Sequence, residues 1–139
     1  MKLRLVTSLT LILGFLMVGA PLFAHHGNVA YDTSKAVPLK GATVTKFVWA
    51  NPHCIVMFDA KDDKGNVLHW AGEAGSPSAL GPLGWSSKSV QPGDVITVYI
   101  YQSKTGNPVG RLNKIVLADG SELKDSALGY RDVEGDGKQ

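Results

Sequence analysis

Beyond residue 40 the chain runs in short apolar segments rich in Val, Ile, Thr, Tyr and Phe, each interrupted by Gly, Pro, Asn or Asp. Apolar positions recur at every second residue: Ile96, Val98 and Ile100 share one face of "VITVYIY", as Cys54, Val56 and Phe58 do in "HCIVMF". This period predicts strands over 42–49, 53–60, 67–74, 95–102 and 112–117, with a short sixth piece at 122–124. The punctuation agrees. "DDKGN" at 62–66 places Gly65, which tolerates positive φ, between two alternating runs and reads as a hairpin. "QPGD" at 91–94 and "ADG" at 118–120 are further turns. Only "SPSALGPLGW", 76–85, departs from strand patterning: Ser76 can cap one helical turn with Pro77 at its first position, before Gly81 and Pro82 end it.

Three strands, a short helical connection and two more strands follow the order of an OB barrel. The expected fold is all-β: a small antiparallel five- to six-stranded OB-like barrel with one short helical turn between the third and fourth strands. Too few runs are present for a seven-stranded sandwich. With the hairpin centred on residues 63–65, residues whose numbers sum to about 128 oppose one another, so Phe58 faces Trp70 and Val56 faces Gly72. Cys54 and Leu68 fall on that same core side. The other face carries His53, Ile55, Met57 and Asp59 from one strand, and His69, Ala71 and Glu73 from the next. A slip of one residue would exchange the faces.

Composition changes the picture at both ends. Residues 1–24 start with Lys2 and Arg4, continue through an apolar stretch to about Val18 and finish in small residues, which is the form of a secretory signal. The stretch is shorter than the roughly 20 residues of a permanent membrane span. Cleavage after Ala20 would leave Pro21 first; cleavage after Ala24 avoids a proline at the scissile bond and makes His25 the first mature residue. The chain is then expected to be periplasmic, without a membrane anchor, with a single barrel domain at 25–125 and a flexible polar tail at 126–139. Removal of the signal takes away two of the 14 Lys and Arg and none of the 12 Asp and Glu, so the mature chain is neutral. Neutrality gives no support for a nucleic-acid partner. Cys54 is the only cysteine, so no intrachain disulfide can form.

The candidate chemistry is metal binding. His25 and His26 are either a polar end left by processing or a chelate, in which the freed α-amine, titrating below lysine, and the imidazole of the same residue close on one ion. Imidazole suits copper and zinc. His53, after Asn51 and Pro52, is either a strand-end histidine bonded to a carbonyl or a second ligand. Glu73, in "HWAGEAGSP", has small neighbours that leave space for an approaching ligand; alternatively it accepts hydrogen bonds from the Gly-Ser turn that follows. Met57 packs or supplies a thioether to Cu(I). His69 reads as solvated, Cys54 as core, and Trp49, Trp70 and Trp85 as core or rim packing. No Ser-His-Asp order, phosphate loop, HExxH or CxxC spacing is present.

A post-signal "AHHG" with "YD", then "WANPH", "HWAGEAGSPSAL", "GW" and "VQPGDVITV" together resemble the small exported bacterial proteins of the DUF6152 family, over 25 to about 124. The resemblance implies His25, His26, Asn51, Pro52, His53, Trp70, Glu73, Ser76, Pro77, Gly84, Trp85, Gly93 and Asp94 as characteristic positions. Gly27 and Cys54 depart from the pattern, where serine and an aliphatic or aromatic residue are common. The family implies no activity. The expected function is a periplasmic carrier or buffer of copper, with zinc as the alternative ion, using His25, His26, His53, Glu73 and Met57. The competing reading is a metal-free OB-like module for a small molecule or another periplasmic protein. An oxidising enzyme ranks last, since no substrate groove is evident.

Overall fold

The computed structural model describes residues 30–125. Six strands form in chain order: β1 (Val37–Val48), β2 (Ile55–Lys61), β3 (Val67–Glu73), β4 (Val95–Gln102), β5 (Val109–Val116) and β6 (Glu122–Lys124). Between β3 and β4 lie a single helical turn, α1 (Pro77–Leu80), and a 3-10 turn (Gly81–Leu83). The Ser76 hydroxyl accepts from the Ala79 amide at 3.3 Å and Pro77 occupies the first turn, so the cap expected from sequence forms. Gly84 closes the connection at φ +92°, a conformation that costs glycine little.

The β2–β3 hairpin takes the predicted register, with Phe58 opposite Trp70 and Val56 opposite Gly72. Asp62 organises its turn, accepting from the amides of Lys64 and Asn66. Inward from these strands, Cys54, Val56 and Phe58 are fully buried and join Val44, Val98, Ile100, Leu112 and Ile115 in one core. The Phe58 and Trp70 rings stack at 6.2 Å between centroids and 3° between planes. Trp70 and Trp85 belong to this core, whereas Trp49 is packed against its edge.

β2 starts two residues later than expected, at Ile55, which leaves His53 and Cys54 ahead of it, and two strand starts differ more. β1 starts five residues earlier, at Val37, and is bent by irregularities between Leu39 and Ala42 and between Val44 and Lys46. The bends let one strand serve two partners, β4 through 37–43 and β2 through 43–48. β5 starts three residues earlier, at Val109, through Gly110 and Arg111, which carry no strand-like pattern.

That early start closes the barrel. β3 and β5 pair through Ala71 with Val109, Gly72 with Gly110 and Glu73 with Arg111, and the pairing is parallel. The strand order β1-β2-β3-β5-β4 therefore returns to β1 as a closed five-stranded mixed barrel, with β6 added outside β5. The antiparallel expectation is corrected at this seam for a geometrical reason. Five strands make an odd ring, and direction cannot alternate around an odd ring without one parallel pair.

Candidate functional site

The most unusual chemistry lies on the outer wall across that seam. Arg111, paired with Glu73 on one side and with Tyr101 on the other, sits in the middle of a row crossing three strands. Its side chain is only 6 % exposed. A buried guanidinium needs compensating charge, and it has two carboxylates: Nη1 lies 3.0 Å from Glu73 Oε1 and Nη2 lies 3.2 Å from Asp125 Oδ2. Asp125, fully buried, also accepts from the Gly75 amide at 2.7 Å through Oδ1. The Asp125 amide in turn donates to the Asn113 carbonyl, so the residue after β6 is stitched back over β5.

Glu73 is the junction. Besides Arg111 it receives the Tyr31 hydroxyl on Oε2 at 3.3 Å, and His53 Nδ1 lies 3.5 Å from its Oε1. Tyr31 is held in place by the backbone: it bridges Ser103, and the Asp32 amide donates to the Gln102 carbonyl. Burial, reinforced by the nearby Glu73 charge and the hydrogen bond to it, pushes the Tyr31 phenol above its ordinary range. His53 lies just ahead of β2, about half exposed, after the bend at Asn51 and Pro52.

The expected ligand set is thus brought together in part. His53 and Glu73 meet. Met57 sits further along β2, opposite Ala71 and Lys46, about 7 Å along the strand from Ile55, which faces Glu73. His69 is highly exposed and pairs locally, its Nδ1 2.6 Å from Asp59 Oδ1. Cys54 is fully buried, and burial raises its thiol pKa, so it stays a neutral core residue at neutral pH. The hydrogen bonds from the turn after Glu73 do not reach Glu73; the Gly75 amide bonds Asp125 instead. His25 and His26, with the proposed signal and tail, lie outside the described residues. Among the described residues, no three His, Cys, Asp or Glu side chains converge in a way that could hold a metal ion.

Arg111, Asp125 and Tyr31 went unread as site residues. Arg111 falls before the apolar run that marks its strand, and Asp125 borders a polar tail. Tyr31 had only the "YD" pair as a signal.

Fold and site together define a small closed β-barrel whose outer wall carries a buried arginine bracketed by two carboxylates, with a histidine and a tyrosine on one of them. A family model described as a family of unknown function, DUF6152, matches residues 14–113, and the chain belongs to that family. No curated protein and no solved structure matches it.

Proposed function

We propose that this chain is a periplasmic metal-binding protein, copper first and zinc second, that carries or buffers the ion. Export with cleavage after Ala24 would free the His25 amine. That amine and its ring, with His53 as a second imidazole, form the core of the site, and His26, Met57 or Glu73 is available for a remaining contact.

The observation that carries this reading is the shared carboxylate. Tyr31 and His53 both contact Glu73, so the start of the described chain is anchored beside His53. An extended chain spans at most about 3.3–3.6 Å per residue. Six residues of extended chain reach roughly 20 Å, which is long enough for a His25 amine to be carried from Tyr31 to a ring that shares Glu73 with it. The order of strands and the helical turn between β3 and β4 support an OB-like barrel, in which the wall formed by the second and third strands is the usual binding face.

Titration of Cu(II) into protein beginning at His25, and into protein with one residue added ahead of it, tests the chelate. The extension should weaken binding, and equal affinities would remove the amine from the site. His53→Ala should weaken Cu(II) binding at least tenfold, about 1.4 kcal/mol. Protein that carries and binds no metal would favour the module reading, with a small molecule or partner protein on the same wall.

A further inference from the structure

The geometry points to a second binding site, for a small organic acid, in the cleft where β1 leaves β2: its carboxylate lies between Lys40 and Lys61 and its apolar body against Val67 and Ala60. This site is separate from the one proposed above and does not depend on it. Asp59, on its lining, stands four residues along β2 from Ile55, the partner of Glu73, a distance of about 13 Å.

The cleft follows from the bend in β1. The register between β1 and β2 ends at Thr43 with Asp59, although β2 runs on to Lys61. Ahead of that point β1 pairs with β4 instead, and the irregularity between Leu39 and Ala42 holds Gly41 at φ +66°. The two strands thus part. Between them lies an open space of about 530 Å³ that reaches Val67 of β3. A Cβ on Gly41 would meet nothing within 4 Å, so the backbone there faces the opening.

The lining selects the ligand. Lys40 and Lys61 are exposed, and among the described residues neither has a carboxylate within ion-pair distance. The one acid on the described lining, Asp59, is engaged at Oδ1 by His69 Nδ1 at 2.6 Å. Two ammonium groups against one carboxylate leave a single net positive charge, which complements a monoanion. Thr43 adds a hydroxyl donor. Val67 is 50 % exposed and Ala60 is buried beside it on the lining, so the same cleft offers an apolar wall. Its volume is in the range of small-molecule sites. Exposed ammonium groups alone hold an anion weakly, because solvent screens them; the charge therefore orients the ligand and apolar contact supplies the rest. Inorganic phosphate brings no apolar surface, and it favours guanidinium forks, which this cleft lacks.

The test uses the chain beginning at His25, labelled for NMR and titrated at constant ionic strength with benzoate, benzyl alcohol or inorganic phosphate. Benzoate should give saturable shifts at the Gly41, Ala60 and Val67 amides. Benzyl alcohol, of the same size without the charge, should bind roughly fivefold more weakly, and the Lys40→Gln, Lys61→Gln double variant should weaken benzoate by a similar factor while leaving benzyl alcohol unchanged. Phosphate should leave the Val67 amide unmoved. No saturable benzoate shift at these amides, or benzoate and benzyl alcohol titrating alike, overturns the inference. Phosphate matching benzoate at all three amides also overturns it, since the cleft would then hold any inorganic anion. Should the double variant lose its amide dispersion, the contrast among the three probes in wild type decides alone.

Discussion

At the scale of single residues, two groups have perturbed chemistry with consequences in solution. Tyr31 holds its proton to higher pH in the folded chain than in the unfolded one, because its hydroxyl is partly desolvated and faces the Glu73 carboxylate. A raised folded pKa stabilises fully below the unfolded value, near 10, and that contribution is lost as pH rises through the folded value. Urea midpoints measured from pH 8 to 11 should therefore fall on the alkaline side, and Tyr31→Phe should flatten that fall. Cys54 is the counterpart in the core. Its thiol should resist an aromatic disulfide reagent in native protein and react fully only on unfolding, as absorbance of the released thiolate would show. Legibility at this scale followed periodicity. Cys54, Phe58 and Trp70 were assigned to the core from alternation alone, and they are there. Arg111 and Asp125 escaped because burial of charge arises from long-range partners, 38 residues apart for Arg111 and Glu73 and 50 for Gly75 and Asp125, and local pattern does not encode such distances.

At the scale of elements, the parallel seam is the part that local signals did not show. Each hairpin carries its own turn chemistry, so β2–β3 and β5–β6 were visible from "DDKGN" and "ADG". The β3–β5 pairing has no connecting turn and consists of three residue pairs. Two facing glycines, Gly72 and Gly110, make it possible. A Cβ on Gly110 would fall 2.5 Å from the Tyr101 carbonyl oxygen and 2.6 Å from Ile100 Cγ1, so backbone would have to move. One on Gly72 would meet the tip of Leu112 at 3.2 Å, a flexible methyl that can shift. Gly110→Ala should therefore destabilise by about 1–3 kcal/mol or more, and Gly72→Ala by less than about 1 kcal/mol, in paired denaturant melts. Similar losses for the two would mean that the seam does not limit the barrel. Gly72 was legible as a small residue that leaves room beside Glu73; Gly110, and what approaches either glycine, was not.

At the scale of the whole molecule, the two ends of the described chain are joined through one ion pair. Tyr31 reaches Glu73, Asp125 reaches Arg111, and Glu73 and Arg111 hold each other across the seam. Asp125→Ala leaves the buried guanidinium short of one partner and should cost about 3–5 kcal/mol. Tyr31→Phe should cost about 1 kcal/mol. Because both act on the same pair, the double variant should deviate from additivity by at least about 0.5 kcal/mol, measured by urea unfolding of all four proteins. Strict additivity would show that the ends are independent. The overall architecture was readable because strand number and the placement of the helical turn already limit the closures available. The sense of the closing pair follows once five strands must form a ring.

The outermost strand of the sheet, β6, carries a further consequence. It spans three residues, two of them the charged Glu122 and Lys124. A neighbouring molecule seeking to extend the sheet at β6 would find little main chain to pair with, and would meet an exposed charged side chain at each end of the short ladder. Sheet extension through β6 should accordingly be disfavoured, this rim of the sheet serving as its own stopper.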